Sequence, residues 1–394
     1  MVGYVKSLVT RRSLITGLTG SGLLLAGCGR TRDRGFTILG VNSFRRAPGI
    51  ALPYRLGMQL AENEANARGG VSVRGGMQVH VVPVNDGGEA WRARAALRAQ
   101  LDAAPAAVVA GGCFECVAKE IANVCETAQV PFISAVPMRR HVGAVKRGDF
   151  TFHLGPSATT MISMLMAGLP ETPRTWAFIA SQSALMQSAL EATEGHLRRR
   201  NSDVEIVVDS RRDIAPDHLD DALARVRAAR PEALLLALDD VEECRLARSG
   251  KLREAFLGDL VVHLPPMPEP RVLAGLVKDA HTRSIAPYYD VDERQSGPHG
   301  TFVRSFLRAF SDPPTFAALM GYITVKVAIA AAETAQGVQG QELAAALSAG
   351  LFDTPVGEMR FRASDHQSTL GAWIIEKTRG ETRATYADAG PHLG

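Results

Sequence analysis

Apolar residues follow two alternating rhythms along this chain. Short β-branched runs such as Phe36-Thr37-Ile38-Leu39-Gly40-Val41 predict strands, and apolar positions three and four apart predict helices. A strand over Phe36–Val41 and a loop over 42–53 lead to a helix over Tyr54–Arg68, with Leu56, Gly57, Leu60, Ala61 and Glu64 on one face and Gly69-Gly70 as its stop. The pattern goes on through a strand at Gln78–Val84, a helix at Glu89–Leu101 and a buried strand run at Ala106–Ala110. A helix at Val117–Ala128 and a strand at Pro131–Ser134 complete the set. Repeated strand–loop–helix units predict an open parallel sheet with helices on both faces.

The rhythm restarts after Phe150-Thr151-Phe152-His153. Helices at Thr159–Leu169, Leu185–Arg199, Leu219–Arg230 and Glu242–Ala255 alternate with strands at Thr175–Ala180, Val204–Val208, Ala233–Leu238 and Leu260–His263. Two sheets in series imply two lobes. The tail is different, with helices at Phe302–Phe310, Phe316–Ala335 and Glu342–Ala349 followed by short strands at Gly357–Phe361 and Gly371–Glu376. The expected arrangement assigns 36–150 with 290–349 to lobe one and 151–289 with 350–394 to lobe two. Several short crossings then form a hinge, and a ligand fits between the lobes.

The first residues change the picture from a free globule to an exported one. Lys6, Arg11 and Arg12 precede an apolar stretch from Leu14 to Leu25, which at about 12 residues is too short to span a ~30 Å hydrocarbon core. Leu25-Ala26-Gly27-Cys28 has the pattern of a lipobox, so 1–27 is expected to be a cleaved signal peptide. Cys28 becomes the acylated N-terminus, and 28–35 is a tether. Thr10-Arg11-Arg12-Ser13-Leu14-Ile15 resembles a twin-arginine signal, and the general secretory route also accepts such a basic start. The expected location is the outer face of the cell membrane, held there by lipid.

The net charge of +3 equals the three basic residues of the signal, so the exported body is close to neutral and offers no field for nucleic acid. Removing the signal leaves about 370 residues, more than one typical core. Cys113 and Cys116 precede and enter a helix, where they form a local disulfide or remain free thiols; Cys125 falls on the opposite side of that helix and reads as core. The chain contains no Gly-x-Ser-x-Gly elbow, phosphate loop or His-Glu-x-x-His, so no enzyme, metal or cofactor is expected.

Several stretches, in order, carry a resemblance. Leu56 to Gly70 looks like a first helix running into Asn-Ala-x-Gly-Gly, and Val82-Pro83-Val84-Asn85-Asp86 like a second strand with a terminal Asp. Val109-Ala110-Gly111-Gly112 looks like a third strand with its glycine turn, and Val130-Pro131-Phe132-Ile133-Ser134 like a V-P-x-I-S strand. Asp353 to Phe361 looks like a late Gly-to-Phe segment. Together they resemble the type I periplasmic binding proteins of the leucine/isoleucine/valine-binding group, with a fold of two Rossmann-like α/β lobes.

That resemblance implies a monomeric, non-catalytic receptor that delivers a small molecule to an ABC permease and ATPase complex. A ligand carboxylate would sit at the glycine turn and the loop after Ser134, and an acidic residue of lobe two would take an ammonium. The corresponding positions are Ser43, Phe44, Phe114, Glu115, Cys116, Val136, Pro137 and Met138 in lobe one, and Gln182, Asp239 and His263 in lobe two. The glycine turn continues Cys113-Phe114-Glu115-Cys116 where the family usually has serines. Glu115 would repel a carboxylate at ~4 Å by ~1 kcal/mol in water and by more in a closed cleft, which points to a more apolar or cationic ligand. The alternative function is a lipoprotein of the same fold that binds a protein, as a cell-wall synthase activator or sensor component.

Overall fold

The computed structural model describes residues 35–135, 148–169, 173–181, 184–210, 218–238, 240–264, 280–286, 296–338, 340–378 and 381–390. Lobe one is a five-stranded parallel sheet in the order β2-β1-β3-β4-β5, made of β1 (Phe36–Asn42), β2 (Val79–Asn85), β3 (Val108–Gly111), β4 (Phe132–Ser134) and β5 (Thr151–His153). Strand β1 shows why such runs are apolar throughout. Phe36 and Ile38 face one helical layer and Leu39 and Val41 the other, so both sides of the sheet are buried.

Helices α2 (Ala90–Ala103) and α3 (Glu115–Ala128) cover one face, where Leu97, Ile121 and Cys125 are wholly buried. The other face is covered by α1 (Pro48–Ala67) and by three helices from the far end of the chain: α9 (Pro298–Phe310), α10 (Phe316–Ala335) and α11 (Gly340–Ala349). Helix α10 is long and apolar enough to cross a membrane, but it is the core helix of this lobe, with its apolar residues packed inside. It crosses α1 at two glycines. A Cβ on Gly57 would lie 1.9 Å from the Ala318 carbonyl oxygen, and one on Gly321 would lie 2.0 Å from that of Tyr54. Tyr54 Oη meets Thr324 Oγ1 at 3.1 Å, and Tyr322 Oη donates to Glu64 at 2.6 Å, so polar pairs flank the crossing. Burial pushes both phenols above their usual range, and the Glu64 bond raises Tyr322 further.

Lobe two repeats the strand order. Its strands β6 (Thr175–Ala180), β7 (Glu205–Asp209), β8 (Ala233–Ala237), β9 (Leu260–His263) and β10 (His281–Ala286) run parallel as β7-β6-β8-β9-β10. Two antiparallel strands, β13 (Ala372–Thr378) and β14 (Glu381–Ala387), extend the sheet to seven, so this sheet is mixed rather than purely parallel. Helices α4 (Ala158–Ala167) and α5 (Ala184–Arg200) pack against one face, where Met161, Met164 and Met166 are core. Helices α6 (His218–Ala229), α7 (Asp240–Ser249) and α8 (Lys251–Ala255) pack against the other. The single helix expected over Glu242–Ala255 is broken at Gly250, whose φ of 68° the helix cannot continue.

Two parts of the expected lobe division are corrected. Strand β5, expected in lobe two, pairs with β4 in the first sheet. The ladder of β11 (Phe352–Thr354) with β12 (Gly357–Met359), also expected in lobe two, belongs to lobe one: Phe352, Met359 and Phe361 insert into its core. Helix α1 starts at Pro48 rather than Tyr54, because a proline at the first helical position gives up an N–H that has no partner there anyway.

Among the described residues the elements change lobe three times: after β5, between β10 and α9, and between β12 and β13. The first and third passages are bonded side by side. His153 N donates to the His366 carbonyl at 2.9 Å, and Ser368 N returns a bond to the His153 carbonyl at 2.8 Å. Gln367 Nε2 donates to the Gly155 carbonyl at 2.8 Å, and Ser368 Oγ to the Leu154 carbonyl at 2.6 Å. The His366 ring stacks on Phe152, with centroids 4.4 Å apart, and its nitrogens meet the Thr151 carbonyl and Ser348 Oγ.

Candidate functional site

In both lobes the strand order reverses beside the first strand. At such a switch point the loops leave on opposite faces and open a crevice at the carboxyl ends of the strands. In lobe one the crevice lies between β1 and β3, since α1 leaves to one face and α2 and α3 to the other. The β1 loop contributes Asn42, Ser43, Phe44 and Arg46, and the β3 loop contributes Gly111, Gly112, Cys113 and Phe114. Gly111, with φ 121°, lets β3 approach β1 closely: a Cβ there would lie 2.1 Å from the Val41 carbonyl oxygen.

Hydrogen bonds fix the floor of this crevice. The wholly buried Asp86, just past β2, accepts from Ser43 Oγ at 2.5 Å and from Gly88 N at 2.7 Å, both on Oδ1. Its Oδ2 has no partner among the described residues, and neither has the buried Oγ of Ser134 at the end of β4. Cys113 Sγ lies 3.5 Å from Asn42 Oδ1, a weak contact. Burial chiefly, with the Asp86 charge adding, raises the Cys113 thiol above its ordinary range against the opposing Ser43 hydrogen bonds, so it stays protonated.

The rim is built differently. Phe44 and Phe114 are half-buried. Arg46 spans all three loops: its guanidinium lies 5.6 Å from the centre of the Phe114 ring, Nη1 donates to the Gly88 carbonyl at 3.0 Å, and its stem packs on Gly88. Glu115 pairs with Lys119 at 2.8 Å, one helical turn on. The Glu115 carboxylate therefore has a counter-ion on its own helix. Cys113 and Cys116 are both free thiols, the first buried and the second exposed, so the local disulfide is not formed in this structure.

At the matching edge of lobe two, Ser181 donates to Glu242, and Gln187 Nε2 donates to the Ser181 carbonyl at 3.2 Å. His263 ends β9, but its ring is turned into the lobe. Nδ1 meets Ser284 Oγ at 3.2 Å and Nε2 lies 3.3 Å from Glu243 Oε1, with both side chains almost fully buried. His263 is thus held within its own lobe by Ser284 and Glu243.

The structure thus brings Ser43, Phe44, Phe114, Glu115 and Cys116 to one crevice and its rim. Val136, Pro137, Met138, Gln182 and Asp239 lie outside the described residues, as do Cys28 and the signal segment. Sequence reasoning missed Arg46 and Asp86 as site residues. The available signal was a polar loop after the first strand facing the Gly87-Gly88 pair after the second.

The family described as periplasmic binding protein matches residues 47–381. No curated protein matches the chain. Among solved structures the chain is similar to an amino acid ABC transporter substrate-binding protein from Pseudomonas fluorescens, at 17% identity and a TM-score of 0.72 over 89% of this chain and 95% of that one. It is similar as well to a solute binding protein of an ABC transporter from R. palustris in complex with benzoate, at 16% identity and 0.67 over 90% and 96%. A third is the branched-chain amino acid transporter substrate binding protein of Streptococcus pneumoniae in complex with isoleucine, at 16% and 0.66 over 90% and 99%. At these identities the structures speak for the fold. With two lobes of one strand order and a family match over most of its length, the chain belongs to the periplasmic binding protein family.

Proposed function

We propose that this protein is the solute-capturing receptor of an ABC importer, exported and held at the membrane by an acylated Cys28. The family works outside the cytoplasm and binds solutes rather than transforming them. The observation that carries the reading is the β1/β3 crevice, with a fixed polar floor of Asn42, Ser43 and Asp86 beneath the half-buried Phe44 and Phe114. Polar groups held by one another keep their positions without a ligand, and partly exposed aromatic rings supply apolar area for a small molecule to cover. The lobes close on that molecule by bending at three passages, and the closed form is what the permease and ATPase receive.

A thermal-shift screen of residues 30–394 against amino acids, amines and aromatic acids tests this. A solute at 100 times its dissociation constant should add about 2.7 kcal/mol, which for a body this large raises the melting temperature by a few degrees. A flat response across the panel would count against solute capture and favour a protein-binding lipoprotein of the same fold. The anchor has its own test. Cys28→Ser is expected to move the protein from the membrane fraction into the soluble exported fraction, since stable anchoring rests on acyl chains that contribute about 0.8 kcal/mol per buried CH₂. Retention of Cys28→Ser in the membrane fraction would overturn the lipid-anchor assignment.

A further inference from the structure

We propose that Arg46 is the residue that selects a negatively charged solute, through an exposed guanidinium seated on Phe114 at the rim of the β1/β3 crevice. The inference rests on the solute-capture reading and deepens it.

Three observations converge on Arg46. The first is its seat. Its stem lies on Gly88, where a Cβ would come within 2.5 Å of Arg46 Cδ, so the bare backbone of Gly88 makes room for it. The guanidinium rests on the Phe114 ring and Nη1 donates to the Gly88 carbonyl. A long side chain normally loses rotamer freedom when it grips a ligand, and here much of that ordering is already in place.

The second is unused capacity. An arginine has five N–H donors in a planar fork. Among the described residues one of them has a hydrogen-bond partner, the Gly88 carbonyl. No carboxylate among those residues forms an ion pair with Arg46. Its neighbours are already matched: Arg92, packed on Gly87, pairs with Glu89 at 3.3 Å, and Glu115 pairs with Lys119. The nearby Asp86 directs Oδ1 to Ser43 and to the Gly88 amide, and its buried Oδ2 has no partner among the described residues.

The third is place. Arg46 leaves β1, touches the loop after β2 and covers the ring after β3, so it spans the switch point where open α/β sheets take ligands. A carboxylate beside an aromatic or aliphatic body fits this surface: the anion meets the free edge of the fork and the body meets Phe44 and Phe114.

The test uses the folded mature protein and shape-matched probes, benzoate against benzamide and isoleucine against isoleucinamide, titrated calorimetrically. The wild type should bind a carboxylate in preference to its amide. In Arg46→Gln that carboxylate should lose about 10- to 100-fold in affinity, the size of a charge-assisted hydrogen bond, while the amide is unchanged. Arg46→Lys should fall between, retaining charge without the fork, and Phe114→Leu should weaken carboxylate binding by a smaller factor through loss of the seat. Carboxylate binding unaltered in Arg46→Gln, or equal losses for carboxylate and amide, would overturn the role of Arg46 and leave solute capture standing. A wild type that prefers the amides would do the same. No binding of any probe by the wild type would count against both.

Discussion

Gly321→Ala is expected to lower the stability of the protein by about 3 kcal/mol or more, although alanine is the better helix former by about 1 kcal/mol. Two effects oppose one another and geometry decides between them. In an exposed helix the propensity gain would win. At the α1–α10 crossing the new methyl carbon would stand 2.0 Å from the Tyr54 carbonyl oxygen and 3.1 Å from Met58 N, and these are backbone atoms that no rotamer change can move. The helices must separate, and separation opens the packing of Met58, Ile323 and their neighbours in a core that is otherwise closed. Gly57→Ala should behave alike, against Ala318. Gly49→Ala is the control, in the same helix α1 but with nothing within 4 Å of its Cβ position, and should be neutral or slightly stabilising. Denaturant midpoints of the three variants decide the matter. A Gly321→Ala protein as stable as the wild type would mean that the helices do not touch as described.

Phe152→Ala is expected to cost about 3–5 kcal/mol, the range for removing a buried aromatic side chain. Phe152 is wholly buried in β5, lies edge-on to Phe361 at 5.2 Å and carries the stacked His366 ring. It therefore joins the lobe-one core to two of the three passages between lobes. The loss should have a local signature as well as a global one. Hydrogen exchange at the amides of His153 and Ser368, which bond across the passages, should speed up more than exchange in β8 of lobe two. Phe152→Leu keeps most of the apolar volume but not the ring stack, and should cost less while showing the same local pattern. Equal acceleration everywhere would reduce Phe152 to a core residue with no special hold on the hinge.

The sequence was most legible where one physical rule acted alone. Strands β1, β3, β8 and β9 are buried on both faces, so their apolar runs announce them. Strand β10 did not, because His281-Thr282-Arg283 does not look like a central strand. Arg283 is nonetheless buried, with Nε donating to the Leu165 carbonyl at 2.8 Å and Nη1 bonded to Glu376 on β13. Those partners are 118 and 93 positions away, beyond any local window. Strand β14 was missed for the opposite reason: as an edge strand it exposes most of its residues. Of the site, the Cys113–Cys116 turn is legible because it continues the family-like Val109–Gly112 stretch, and Ser43 and Phe44 because they follow the first strand run. Arg46 was not, since its importance arises from Gly88 and Phe114, which only the folded sheet brings beside it. The charge of Glu115 was legible, but its pairing with Lys119 was overlooked, although an i, i+4 spacing is visible in sequence.

The α1–α10 crossing also sets a timetable. The five strands of lobe one are complete once residue 153 is made, yet the helix that seals one face of them begins at Phe316. At roughly 5–20 residues per second, a ribosome takes roughly 10 to 40 s to get from β5 to the end of α10. Through that interval Phe36, Ile38, Met58 and Phe152 have no α10 to pack against, while the parallel strands of lobe two are being made. The sheet made first is thus sealed only after all five parallel strands of the second lobe have been made. A nascent chain stalled anywhere before Phe316 offers an open apolar sheet face to holdases and proteases, however complete its own strands are.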